Sequence, residues 1–178
     1  PFGGTEVVRT SIATTTADIP QLDVYFLVDA TPTLAEEIVV LQAEILTIID
    51  DIRLSFPDVQ FGLGLSREYP LPPLAAAYSQ SPYHHILDLS DDEALVEVAV
   101  STLFTVANAT AASASTQALY SIASGLGLGV MVPNRGSCPN APDADLGYPS
   151  FRPDALHVVM NITDAAVHNG PRFTGAQY

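Results

Sequence analysis

Apolar and polar positions alternate between two periods along the chain. The run 22–29, Leu-Asp-Val-Tyr-Phe-Leu-Val-Asp, is apolar almost throughout, as expected of a strand covered on both faces. From about 34 to 54 the apolar residues Leu34, Ile38, Leu41, Ile45, Ile48, Ile49 and Ile52 recur at helical spacing. Thr33 followed by Glu36 has the spacing of a capping box. A second strand is predicted over 59–65, then a proline-rich loop over 69–82 and a short strand over 85–89. Ser90 with Glu93 repeats the capping-box spacing, and Asp91 and Asp92 suit a helix N-terminus through its dipole. That helix is expected to run to about Phe104. Small residues fill 108–116 as a loop, and a helix over 117–124 stops at Gly125. Residues 126–153, rich in Pro, Gly and Asn, read as a long irregular connection of the kind that is often functional. A last buried strand covers 156–162. Residues 1–20 read as a lead-in segment with a short strand at 6–9, and 21–178 as one domain. Strands alternating with helices imply a mostly parallel α/β sheet flanked by helices.

Two of these strands end in acids. Asp29 closes the first and is followed by Ala30-Thr31-Pro32-Thr33; Thr163-Asp164 closes the last. In open α/β sheets ligands bind beyond the carboxyl ends of the parallel strands. Two carboxylates and two threonine hydroxyls gathered there form an all-oxygen donor set, which suits Mg²⁺ or Ca²⁺ better than Zn²⁺ or Cu²⁺; Mn²⁺ is a third candidate.

The sequence strand-Asp29-x-Thr31-x-Thr33-helix, followed by strand-Thr163-Asp164-Ala165-Ala166-Val167-His168, resembles a von Willebrand factor A domain. It is most similar to the I-like domain of integrin β subunits, over roughly 22–168. The first motif matches that family's metal-ion-dependent adhesion site, Asp-x-Ser/Thr-x-Ser/Thr. The resemblance implies a Rossmann-like three-layer fold and a metal set of Asp29, Thr31, Thr33 and Asp164. It places Ser113 where integrins carry an acid and other A domains a threonine, and Glu36 and Glu37 at an adjacent cation site. Glu68, Asn108 and Thr110 fall at a third site, with Thr110 in place of an expected acid. It also implies a further strand, helix, strand and C-terminal helix after Tyr178, so the fold is expected to be incomplete at its C-terminus, with an unpaired strand edge.

The function so implied is divalent-cation-dependent cell-surface adhesion. The bound cation keeps positive charge and an exchangeable water, and so recruits an acidic residue of a protein or matrix ligand. Cell-surface or secreted localisation follows, with other domains or chains of the same surface protein as further partners. The alternative is a degenerate A domain that serves as a metal-independent structural or assembly module. A third reading is a metal-dependent hydrolase on a doubly wound sheet. No nucleophile elbow, Walker loop or dinucleotide fingerprint is present, which argues against an enzyme.

Composition narrows the partners. With 20 acids against 6 bases the formal charge is −14, which repels nucleic acid and anionic membrane and attracts cations. Hydrophobic residues at 48 % support a packed core, and no apolar run reaches the roughly 20 residues of a membrane helix. The sequence opens at Pro1 without a methionine and reads as a trimmed chain. The lone Cys138 has no internal partner, so it is a free thiol or half of an external bridge. Few cysteines depart from animal integrins and favour a microbial surface adhesin. Asn108-Ala109-Thr110 is a glycosylation sequon. His84 and His85, adjacent on a strand, point to opposite faces and read as structural; His157 reads as a hydrogen-bonded core histidine.

Overall fold

The computed structural model describes residues 21–69, 81–105, 112–137 and 146–167. The lead-in 1–20, Asn108, Thr110, Cys138 and His168 lie outside the described residues. Four strands form a mixed, mostly parallel sheet: β1 (Leu22–Asp29), β2 (Val59–Ser66), β3 (Tyr83–Ser90) and β5 (Leu156–Ile162), in the order β3-β2-β1-β5. Among the described residues three α-helices flank it: α1 (Ala35–Ser55), α2 (Glu93–Ser101) and α3 (Ser115–Ser124). This is a Rossmann-like α/β arrangement.

All eight residues of β1 are buried, because it has a parallel strand on each side and helices on both faces. Its alternate side chains divide the core. Val24, Phe26 and Val28 pack with Ile38, Leu41, Ile45 and Ile49 of α1 and Val96, Ala99 and Val100 of α2. Tyr25 and Leu27 face Ala118 and Ile122 of α3, with Val132, Tyr148 and Phe151 of the long connection. The glycines of β2 make room for Tyr25. A Cβ on Gly62 would sit 2.7 Å from the Tyr25 ring, and one on Gly64 would overlap the Tyr25 hydroxyl.

Several local expectations are corrected. β3 spans 83–90 rather than 85–89 and runs antiparallel to β2. Neither capping box forms as spaced. Pro32 opens a 3₁₀ turn, Pro32–Leu34, which delays α1 to Ala35, and the Leu34 cap position offers no side-chain hydrogen bond. At α2 it is Asp92, in extended backbone geometry, whose carboxylate accepts the Ala94 N–H at 3.0 Å; the Ser90 hydroxyl oxygen accepts from Asp92 N–H. This helix ends at Ser101, short of Phe104, where the Ser101 and Thr102 hydroxyls donate back to the Val98 and Ala99 carbonyls. α3 starts two residues before 117 and stops at Gly125, whose φ of +70° closes the helix in left-handed geometry. Two short strands, β4 (Ala112–Ser113) and β6 (Ala166–Val167), pair in parallel where a loop was expected.

The predicted burial of β5 is also corrected. Among the described residues it pairs on one side only, and Leu156 and Met160 are 44 % and 40 % exposed. His157 is exposed rather than a core residue; its Nε2 lies 2.7 Å from the Arg152 carbonyl and its ring stacks on Phe151.

At the amino end of the parallel strands, Asp23 is fully buried. Its carboxylate accepts from the Arg152 backbone N–H and Nε–H, both at 2.7 Å. Arg152 also donates to Asp58 at 2.6 Å and to the Leu22 carbonyl. The Arg152 guanidinium and Gln21 together hold the Asp58 carboxyl below its ordinary range. This clamp ties the loops before β2 and β5 to the foot of the central strand.

Candidate metal site at the carboxyl ends of β1 and β5

The chain leaves β1 for β2 and β3 on one side and returns as β5 on the other. Order therefore switches between β1 and β5, and the crevice of such a sheet opens at their carboxyl ends. The last residue of β1 is Asp29, and Asp164 stands two residues beyond β5.

Asp29 is fully buried. Its Oδ1 accepts the Thr31 backbone N–H at 2.9 Å, the closed turn an aspartate makes with the residue two further on. Its Oδ2 accepts the Thr163 hydroxyl at 2.7 Å. The Thr31 and Thr33 hydroxyls lie 3.1 Å apart, and the Thr33 hydroxyl donates to Asp164 Oδ1 at 2.9 Å. One continuous set of oxygens thus runs Asp29, Thr163, Asp164, Thr33, Thr31. The hydroxyl of Thr33, expected to cap a helix, serves this set instead. Asp29 and Thr31 are buried, whereas Thr33 and Asp164 are exposed, so the set opens from core to solvent.

Among the described residues no arginine, lysine or histidine forms an ion pair with Asp29. Its partners are N–H and O–H dipoles. A fully buried carboxylate without a counter-ion carries a large desolvation cost, which a bound cation relieves. Each carboxylate oxygen accepting one hydrogen bond still has a second lone pair, so the donor set fits a hard cation. No group of three or more His, Cys, Asp or Glu side chains converges among the described residues. The set therefore rests on two carboxylates completed by hydroxyls.

The remaining expected ligands divide. Ser113 lies on β4, next to the segment after Asp164 through the β4–β6 pairing. Its hydroxyl bonds two other serines: it donates to Ser66 Oγ at 3.2 Å and accepts from Ser115 Oγ at 3.1 Å. All three are buried, and Ser66 is the register partner of Asp29. Ser66 and Ser115 were not singled out from the sequence, and Thr163 was read as part of the Thr-Asp motif but not as a ligand. Thr163 adjoins Asp164, so its hydroxyl was within reach of that motif; the serines depend on strand register. Glu36 and Glu37 are exposed in the first turn of α1, and no hydrogen bond joins them to the Asp29 set among the described residues. Glu68 is buried, and its Oε1 accepts the Tyr69 N–H at 2.7 Å. The other two residues of the expected third site, Asn108 and Thr110, lie outside the described residues.

His84 and His85 diverge as expected of neighbours on a strand. His84 is exposed, and its basicity is lowered by burial of its inner edge and by the Arg67 and His85 charges. His85 turns inward, with Nδ1 2.8 Å from the Tyr25 hydroxyl and Nε2 2.9 Å from Asp88.

No helix among the described residues is long and apolar enough to cross a membrane. No protein-family model matches the chain, and no curated protein sequence matches it.

Proposed function

We propose that this chain is a von Willebrand A-type module, most similar to the integrin β I-like domain, that recognises an acidic residue of a protein or matrix partner through a divalent cation. The observation that carries this reading is Asp29: a wholly buried carboxylate, met among the described residues by dipoles alone, at the sheet's switch point and joined through threonine hydroxyls to Asp164. Asp29, Thr31, Thr33 and Asp164 would hold Mg²⁺, Ca²⁺ or Mn²⁺, with Ser113 beside them. The cation supplies Lewis acidity and an exchangeable position for the partner's carboxylate. The chain's own residues set its depth: Asp29 and the Thr31 turn fix the buried side, while Thr33 and Asp164 border solvent. The role is recognition, not turnover. A place at the cell surface or in a secreted assembly, and the adhesin reading, rest on this site and on the resemblance.

The rival is a metal-free structural module. It is favoured by the hydrogen bonds that already satisfy Asp29 as a loop cap and by the serine partners of Ser113.

Calorimetric titration of Mg²⁺, Ca²⁺ and Mn²⁺ into chelator-stripped protein separates the two. Wild type is expected to bind one cation saturably. The exposed Asp164 can be removed without emptying the core, and Asp164→Ala should weaken binding by at least the roughly 10–100-fold that loss of even an outer-sphere partner costs. No wild-type binding at millimolar cation favours the metal-free module, and equal affinity in the variant would place the cation away from the Asp29–Asp164 set.

A further inference from the structure

All six bases of the chain are arginines, set against 20 acids. Of the four arginines that are described, Arg53 pairs with Glu93, Arg135 with Asp88 and Arg152 with Asp23. Arg67 differs: it forms no ion pair among the described residues. It follows Ser66, the last residue of β2 and the register partner of Asp29. It therefore stands at the carboxyl end of the parallel strands, one strand over from the cation site. Its backbone is held on both sides, with the N–H donating to the Pro82 carbonyl at 3.0 Å and the carbonyl accepting from Ala114 N–H at 2.9 Å. Its guanidinium lies over the Phe104 ring, 5.4 Å from the centroid, and Phe104 is 56 % exposed.

Nothing nearby in the chain balances this charge. The carboxylate of the adjacent Glu68 accepts from the Tyr69 N–H instead. The segments 70–80 and 106–111, which follow Arg67 and Phe104 in the chain, contain no Asp or Glu. Burial lowers the basicity of Arg67. His84 feels the charge, its own basicity falling through burial first and through Arg67 next. A partly desolvated cation without a counter-ion costs the fold stability, in a chain whose other described arginines all have acids.

The shape of the exposed part defines what would match it. Arg67 Nε is buried without a partner, out of reach of any ligand. The residue as a whole is only part-buried, and neither Nη is among the buried unmatched atoms, so the tip of the fork faces solvent. Two Nη groups side by side fit the two oxygens of a carboxylate. An arginine braced on an exposed aromatic ring is also the composition of protein-interface hot spots. The net charge of −14 disfavours a polyanion such as nucleic acid or an anionic membrane, and leaves a single carboxylate among apolar groups as the better match.

We propose that Arg67 and Phe104 form a docking spot for a carboxylate side chain of a protein partner, the carboxylate held end-on by the two Nη groups and its methylenes lying on the Phe104 ring. The spot needs no metal. That one partner engages it together with the cation site rests on the function proposed above.

The probe is N-acetylglutamic acid α-amide, which carries one side-chain carboxylate, with N-acetylglutamine amide as its neutral counterpart and inorganic phosphate as the rival anion. Each is titrated into the full chain in chelator, where no cation can take the carboxylate. The readouts are the NMR signals of the Arg67 Nε–H, protected by burial and assigned by its loss on substitution, and of the Phe104 ring. The acid is expected to shift both saturably and the neutral amide neither. In Arg67→Met the acid should bind at least roughly tenfold more weakly, the loss of hydrogen bonds from a charged donor. The same variant should unfold at no lower denaturant concentration than wild type, because the unmatched charge costs more than an exposed cation–π contact returns. A clearly lower midpoint would make Arg67 a structural residue and overturn the proposal. So would an acid that leaves Arg67 and Phe104 unmoved, equal binding in Arg67→Met, or phosphate binding more tightly than the acid. None of these outcomes depends on whether the Asp29 set binds a cation.

Discussion

Asp29→Asn is expected to abolish cation binding while leaving the metal-free domain at least as stable as the wild type. Asparagine keeps a carbonyl oxygen for the Thr31 N–H and turns its amide toward Thr163, whose hydroxyl oxygen can accept. What it removes is the carboxylate charge, which is completely buried and, among the described residues, matched with dipoles alone. Without metal, that removal relieves a desolvation cost. With metal, the wild type gains about 2.7 kcal/mol at a cation concentration 100 times Kd, worth roughly 5–11 °C in Tm for a chain of this size. Thermal unfolding with and without Mg²⁺ or Ca²⁺ checks both halves. The wild type should shift upward on adding cation and the variant should not. A variant that unfolds in chelator would mean that Asp29 acts through its charge as a structural residue.

The second large effect lies at the opposite end of the sheet. Arg152→Met is expected to destabilise the domain by about 3–5 kcal/mol, because it leaves the buried Asp23 carboxylate without its cation. Denaturant unfolding should show a lower midpoint with an unchanged slope. Asp23 and Arg152 act as a pair, so Asp23→Asn combined with Arg152→Met should recover much of the loss; additive losses would contradict the pairing. The Arg152–Asp58 contact adds little, since Asp58 is half exposed. Neither variant should change cation affinity, because the clamp and the Asp29 set occupy opposite ends of β1.

Hydrophobic period made β1, β2, α1 and β5 legible within a residue or two, because each carries a long unbroken pattern. The placing of Asp29 and Asp164 at the carboxyl ends of neighbouring strands was legible, because an acid that ends an apolar run falls at a predictable place in such a sheet. Period carries no strand direction, so the antiparallel sense of β3 was hidden. β4 and β6, two residues each, carry no period at all. Thr33 was ambiguous between a cap and a ligand; Pro32 spends the first turn as 3₁₀, and the Thr33 hydroxyl donates to Asp164 instead of capping α1. The exposure of β5 depends on what lies beside the strand rather than on its own residues. Asp23, a charge inside a buried strand, announced the need for a partner, but Arg152 is 129 positions away. The Tyr25–Tyr83–His85–Asp88–Arg135 chain draws on three strands' worth of register and a turn, and Gly62 and Gly64 make sense only once Tyr25 is seen lying across them.

The central claim concerns where a cation binds, and an acidic surface can bind cations weakly almost anywhere. Substoichiometric Mn²⁺ added to isotope-labelled protein, followed through the backbone amide signals, tests the position directly. The amides of Thr31, Thr33 and Asp164 should broaden first, while those of Asp50 and Asp51, exposed near the far end of α1, persist. Broadening that spreads evenly over the acidic surface, or that begins at Asp50 and Asp51, would contradict a metal site at Asp29.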